Sequence, residues 1–373
     1  MKSIPIARVT VVLSVFLSFS QTALSEPTPS RANSATEETN FLAPDVSKKI
    51  DDAATKMLSE SGVPSASIAV VKDGILTYTK AYGLADLPSH RPATTLMIYS
   101  IGSISKQFTA ASILLLAEEG KLSLDDALGH WLPDPTRANE VTIRQVLSMT
   151  SGYQDFWPQD YVMPPMMKPA SPEEILKGWA QKPLDFERGT KWQYSNTNYV
   201  VAGVIVERVS GMSVLDFLHR RVFDPLGMKT VFDCDSSALP SEAPTRYHRY
   251  GLGPARPAPK EGKGWLFAAG ELAMTASDLA KWDISMIDQA ILKPESYRAM
   301  ETAELLENGA STQYGLGVGV SLINGRRVLA HSGEVSGFTA QNAVYPDDRG
   351  AVIVLTNMDA NRAGSNLANK IGE

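Results

Sequence analysis

"IGSISKQFTA", residues 101–110, sets Ser103 and Lys106 three positions apart. On a helix that spacing puts both side chains on one face, one turn from each other. A serine hydroxyl is a poor nucleophile until a neighbour accepts its proton, and a neutral amine within hydrogen-bond reach can do so. The start of a helix also presents backbone N–H groups, which suit the oxyanion formed when an acyl carbon is attacked. A chain of 373 residues holds one Ser-x-x-Lys by chance. The stretch therefore takes its meaning from the rest of the chain.

Two later stretches supply that meaning. "GTKWQYSNTNY" (189–199) contains Tyr194-Ser195-Asn196, and in extended backbone Tyr194 and Asn196 point the same way. "AHSGEVSGF" (330–338) contains His331-Ser332-Gly333, on a segment read as a strand. A glycine there lets another backbone or a substrate come close.

The local signals around these stretches alternate between strand and helix. Val46, Ile50, Ala53, Ala54, Met57 and Leu58 recur at helical spacing behind Pro44. "SIAVVK" (67–72) and "ILTYTKAY" (75–82) flank Asp73-Gly74, a two-residue hairpin signal, and Asn324-Gly325 repeats it near the C-terminus. "FTAQNAVY" and "AVIVLTN" come next, joined by the turn-rich "PDDRG". In the middle, "SISKQFTAASILLLAEEG" stops at Gly120, a C-terminal glycine signal. Thr142 with Gln145, Ser171 with Glu174, and Ser213 with Asp216 read as helix caps. Strands at both ends around a helical middle imply an α+β fold, an antiparallel sheet flanked by helices with an all-helical domain inserted. The boundaries drawn are 41–98 and 264–373 for the α/β sheet domain and 99–263 for the helical domain, with the active-site cleft between them.

With Ser103-Ile104-Ser105-Lys106, Tyr194-Ser195-Asn196 and His331-Ser332-Gly333 in that order, the chain resembles the serine β-lactamase and penicillin-binding protein superfamily. It is most similar to the branch of class C β-lactamases, D-alanyl-D-alanine carboxypeptidases and esterases of the β-lactamase fold. The spacings of 88 positions from Lys106 to Tyr194 (194 minus 106) and 135 from Asn196 to His331 (331 minus 196) fit an inserted domain. "GKLSLDDAL", "VTIRQVLSMTSGY", "DPLGMKTVF" and "AAGELAMTASDLAKW" extend the likeness over nearly the whole chain.

The resemblance implies Ser103 as the acylated nucleophile, with Lys106 and Tyr194 sharing the proton work. Which of those two starts deprotonated stays open at this point. It implies that Asn196 hydrogen-bonds Lys106 and substrate, that His331, Ser332 and Gly333 contact substrate, and that the N–H groups of Ser103 and Glu334 form the oxyanion hole. Trp157 and Tyr161 are candidates for one wall of the pocket. Two departures bear on the substrate. His331 stands where class C β-lactamases carry lysine, and Glu334 lies close behind it, so an anionic substrate is less well served than a neutral acyl compound. Met149 stands where many relatives have histidine, and is read as a packing position. The expected activity is ester or amide hydrolysis, including D-amino-acid peptides, ahead of β-lactam hydrolysis. The rival is a penicillin-recognising binding or sensor protein that is acylated without turnover.

Composition narrows the remaining classes. A net charge of -6 gives no basic face for nucleic acid. One cysteine, Cys234, and five scattered histidines give neither an internal disulfide nor metal-ligand spacing. The absence of a Gly-x-Ser-x-Gly elbow weakens an α/β-hydrolase reading, that of a Gly-rich phosphate loop argues against a nucleotide enzyme, and no cofactor is expected. Lys2 and Arg8, the apolar run Val9 to Phe19, and Ala23-Leu24-Ser25 read as a cleavable signal peptide over 1–25, with a flexible leader over 26–40. Cleavage would leave 348 residues (373 minus 25), secreted or periplasmic, without a stable membrane span, acting on a small acyl substrate.

Overall fold

In the computed structural model, residues 38–157, 162–251 and 253–373 are described. The signal-peptide reading and most of the leader lie outside these residues. Eight strands form the main sheet: β1 (Thr39–Asn40), β2 (Ser65–Lys72), β3 (Ile75–Asp86), β4 (Arg91–Pro92), β5 (Gly319–Ile323), β6 (Arg326–Val335), β7 (Phe338–Tyr345) and β8 (Gly350–Thr356). The order across it is β1-β3-β2-β8-β7-β6-β5, with β4 on β3, and its pairs are antiparallel. β2 and β8 meet at the centre, pairing Val71 with Ala351 and Ala66 with Thr356. The sheet is therefore closed between the first and last parts of the chain.

Both hairpin signals are used. Asp73 and Gly74 take φ of 55° and 77°, and Asn324 and Gly325 take 52° and 78°. Two successive positive φ values define a type I′ turn, whose twist matches that of the strands it joins. Thr39 and Asn40, read as the end of a flexible leader, instead form β1, because Thr39 pairs with Thr79 and donates its N–H to the Thr79 hydroxyl at 2.9 Å.

Helices cover both faces, and the alternation along β8 sorts residues between them. Val352 and Val354 pack with Ile50, Ala53 and Ala54 of α1 (Pro44–Ser61) and Leu367 and Ala368 of the C-terminal helix (Ala363–Gly372). Ala351, Ile353 and Leu355 face the larger core, built on α2 (Ser105–Glu118), α3 (Asn196–Ser210) and α4 (Ala276–Asp288). With both faces covered, β8 reads "GAVIVLT", apolar almost without interruption. α1 starts at Pro44 in its first turn and stops at Gly62, which takes the left-handed φ of 70°. α2 is apolar around its circumference and buried from Ser105 to Leu116.

Most of the chain between Gly102 and Glu301 is helical or looped, with a small three-stranded sheet of Tyr99–Ser100, Leu272–Met274 and Phe232–Asp233. The caps read from sequence form: Thr142 and Ser171 make full capping boxes with Gln145 and Glu174, and the Ser213 side chain accepts from the Asp216 N–H. Among the described residues no helix is long and apolar enough to cross a membrane.

Candidate active site

Ser103 lies in a 3₁₀ turn, Gly102–Ile104, that runs directly into α2 and carries Lys106 in its first turn. β6 crosses in front of this turn. Its approach is so close that a Cβ on Gly333 would lie 1.8 Å from the Ile101 carbonyl oxygen and 3.2 Å from the Ser103 nitrogen. A Cβ on Gly102 would likewise lie 2.6 Å from the Glu334 nitrogen. Without side chains at Gly102 and Gly333, β6 and the Ser103 turn can approach this closely.

Lys106 is fully buried, and its Nζ has three oxygen partners: Ser103 Oγ at 3.0 Å, Asn196 Oδ1 at 2.8 Å and the Ala269 carbonyl at 2.7 Å. It also sits over the rings of Tyr194 and Tyr199, 5.1 and 5.6 Å from their centroids. Burial penalises the ammonium and brings its pKa down to about 7, against the opposing pull of Asp155. Tyr194 moves the other way. Burial raises its phenol well above the ordinary value, although the hydroxyl hydrogen-bonds Ser103. Burial thus favours the neutral form of both groups, and of the two neutral groups the amine is the stronger proton acceptor.

Asn196 begins α3, and Ser195 before it is extended with φ -149° and ψ 118°. Tyr194 and Asn196 therefore fall on one side of the chain, as the sequence spacing suggests. Met149 holds this turn from behind. It is buried in the left-handed region at φ 63°, and its sulfur accepts from the Ser195 N–H at 3.4 Å and from Asn198 Nδ2 at 3.5 Å. The packing position read from sequence is thus also a hydrogen-bonding one.

His331 faces the core side of β6, 7% exposed, with both ring nitrogens engaged. Nδ1 lies 2.6 Å from the Ser332 carbonyl and Nε2 lies 2.9 Å from the Tyr314 hydroxyl. Nδ1 must donate to the carbonyl, and in the neutral ring that burial favours Nε2 accepts from the tyrosine. Burial and then Lys106 depress its pKa to about 4. The imidazole lines the cleft and meets the Tyr194 ring at 6.1 Å, but its nitrogens are committed within the protein. Ser332 and Glu334 alternate with it and are exposed. The Glu334 carboxylate accepts from the Ala360 N–H at 2.6 Å.

These groups line a cleft of about 570 Å³. Phe156, Trp157, Val162, Trp265 and Leu266 form its apolar side, and Phe156 packs on Trp157, Trp179 and Trp265 with centroids 5.8–6.4 Å away. Of the two residues proposed as a pocket wall, Trp157 lines this cleft and Tyr161 lies outside the described residues. Two contributors were missed by sequence reasoning. Asp155 accepts from the Asn196 N–H at 2.9 Å and from Asn196 Nδ2 at 3.2 Å. Ala269 offers only a carbonyl, which no side-chain pattern announces. Among the described residues no group of three or more His, Cys, Asp or Glu could hold a metal ion.

Comparison with known proteins identifies the family. The family model described as Beta-lactamase matches residues 50–371. A penicillin-binding protein of Bacillus subtilis (strain 168) is 29% identical over 329 residues, covering 81% of this chain and 70% of that protein. A D-aminopeptidase of Brucella anthropi is 30% identical over 302 residues, 79% of this chain, and the chain spans only 56% of its length. Among solved structures, an octameric penicillin-binding protein homologue from Pyrococcus abyssi has a TM-score of 0.75 at 27% identity, over 86% of this chain and 75% of that one. The D-amino acid amidase of Ochrobactrum anthropi SV3, complexed with D-phenylalanine, has a TM-score of 0.78 at 23% identity over 88% and 97%, a likeness of fold. The chain belongs to the beta-lactamase family.

Proposed function

We propose that the protein is a serine hydrolase that forms an acyl-enzyme on Ser103 and cleaves small ester or amide substrates, including amides and peptides of D-amino acids. One observation carries the reading: of the three oxygens around Lys106 Nζ, only Ser103 Oγ bears a hydrogen it can give back. A neutral amine has two hydrogens and one lone pair. Asn196 Oδ1 and the Ala269 carbonyl take the hydrogens, and the lone pair is left to Ser103.

In this reading the Ser103 proton passes to Lys106 as Oγ bonds to the substrate's acyl carbon. The carbonyl electron pair moves onto oxygen and is received by the Ser103 and Glu334 N–H groups. The bond to the leaving group then breaks, and that group takes a proton from the Tyr194 hydroxyl, which Lys106 replenishes. Water repeats the sequence on the acyl-enzyme and restores Ser103. Tyr194 suits the donor role because burial keeps its phenol protonated.

The cleft draws its lining residues from both 99–263 and 264–373, which supports the reading of a sheet domain (41–98 and 264–373) and a helical domain (99–263) with the active site between them. Asp155, Glu334 and Asp359 line it, and none of its described lining residues is lysine or arginine. With His331 neutral, a substrate carboxylate finds no cationic side chain on that wall, which favours neutral acyl compounds over penicillins or peptides with a free C-terminus. The test is one panel of p-nitrophenyl esters, D-amino-acid amides, a chromogenic cephalosporin and a D-Ala-D-Ala peptide, run with wild type and Ser103→Ala. Esters or amides should give the highest kcat/KM, and Ser103→Ala should abolish turnover. Turnover surviving in Ser103→Ala, or a cephalosporin outpacing every ester and amide, overturns the assignment. A stable adduct on Ser103 with no turnover of any compound would instead establish a sensor.

A further inference from the structure

We propose that Asp155 is a positioning residue for the proton transfer, acting on Lys106 through the Asn196 carboxamide. This rests on Lys106 being the base for Ser103. An ionised carboxylate can only accept hydrogen bonds, and every partner of Asp155 is a donor. Its Oδ1 takes the Trp157 N–H at 3.1 Å, the Asn196 N–H at 2.9 Å and Asn196 Nδ2 at 3.2 Å, and its Oδ2 lies 3.3 Å from the same Nδ2. The NH2 end of the Asn196 amide is thereby held on the Asp155 side, and its oxygen is turned to Lys106 at 2.8 Å.

That orientation decides what Lys106 can do. A rotated amide would present two donors to the amine. The lone pair would then be taken by Asn196, and Ser103 would lose its proton acceptor although nothing had moved. Asparagine has the same shape as aspartate, so Asp155→Asn can still accept both backbone N–H bonds with its oxygen. Its own NH2, in the place of Oδ2, would then stand 3.3 Å from Asn196 Nδ2, opposing the 3.2 Å bond that its oxygen still offers. Two opposed donors repel, and the relief is rotation of Asn196 into the inactive orientation.

The carboxylate also matters as a charge. Around Lys106 stand Tyr194 and Tyr199 from α3 and the turn before it, both neutral, His331 from β6, also neutral, and Asp155 beyond Asn196. Asp155 is the anion that offsets the burial of the ammonium, so its removal makes Lys106 easier to deprotonate. Loss of Asp155 should thus slow acylation while shifting its acid limb to lower pH. A merely structural role would lower the rate and leave the limb in place.

The experiment is single-turnover acylation by p-nitrophenyl acetate from pH 5 to pH 10, expressed per Ser103 labelled by a fluorophosphonate, so that misfolded protein drops out. Asp155→Asn should acylate about 10²-fold more slowly, the low end of what a positioned base contributes, with its acid limb moved down. Adding Asn196→Asp should recover about ten-fold, because the amide introduced at position 155 would then donate to a side chain that can only accept, and that side chain would accept from Lys106. The acid limb of this double variant should move above that of wild type, since a carboxylate now touches the lysine. In an Asn196→Ala background, Asp155→Asn should change the rate by less than about two-fold, the signature of coupling through the amide. An Asp155→Asn rate within about three-fold of wild type, a slowed rate with an unmoved limb, or no recovery in the double variant would each overturn the proposal. A burst that persists in Ser103→Ala would instead remove the nucleophile and base assignment beneath it.

Discussion

Gly333→Ala tests the proposal that the approach of β6 to the Ser103 turn assembles an oxyanion hole. The added methyl would start 1.8 Å from the Ile101 carbonyl oxygen, 2.8 Å from its carbon and 3.2 Å from the Ser103 nitrogen. Real contacts of this kind do not fall below about 3.0 Å, so β6 must retreat from the Ser103 turn by about 1.2 Å. A donor about 2.9 Å from a developing oxyanion would end near 4 Å, outside hydrogen-bond range. Loss of one such donor costs about 10²–10³ in kcat, or about 3–4 kcal/mol. The register partner Ala340 and the rest of the β6–β7 ladder hold the strand on its other side, so the fold should survive. The assay is stopped-flow acylation by a p-nitrophenyl ester, with Tm measured alongside. Gly325→Ala is the matched control: it sits in the distant hairpin turn at φ 78°, with nothing within 4 Å of its added methyl. It should lower Tm and leave acylation unchanged. If folded Gly333→Ala acylates within about three-fold of wild type, the Ser103 and Glu334 amides are not the oxyanion donors.

Two further outcomes concern buried ionisable groups. Lys106 must be neutral to accept the Ser103 proton, so kcat/KM for a neutral ester should rise with pH through an apparent pKa of about 7 and level off above it; a flat profile from pH 5 to pH 8 would refute the assignment. Asp283, fully buried on α4 and accepting from Asn342 at 2.8 Å, is pushed up to about 8 by burial. The folded protein therefore binds a proton that the unfolded chain releases at about pH 3.9, and stability should fall as pH rises between about 4 and 8. Asp283→Asn removes that loss, so its Tm advantage over wild type should grow from pH 5 to pH 8, and a constant difference would refute it.

The fold was legible where local chemistry decides the backbone. Asp73-Gly74 and Asn324-Gly325 had to be turns because they supply paired positive φ values, Pro44 marks a helix start through its fixed φ, and Thr142 and Ser171 do so through their capping bonds. β1 was missed because a two-residue strand has no period. Its place comes from Thr79, forty positions away. Ser103, Lys106, Tyr194 and Asn196 stood out because they fall in short spaced motifs, and the structure brings them together. Asp155 carried no such mark, since its partner Asn196 is 41 residues on and the pairing exists only after folding. His331 was visible as a residue, but its Tyr314 partner and its committed nitrogens belong to the tertiary structure.

The pairing of β2 with β8 has a consequence for how the chain acquires its shape. Val71 meets Ala351 across 280 positions, so the central seam of the sheet is among the most non-local contacts the molecule makes. Closing so long a loop is entropically costly, and such topologies fold slowly. Until the last strand is available, the β2–β3 hairpin has an open edge and an uncovered apolar face, the condition in which partly folded chains aggregate. β6, which carries Glu334, hangs on that same late strand through β7. Ser103 and Glu334 should therefore come together only at the end of folding, and a growing or truncated chain should hold every motif up to Asn196 yet remain inert.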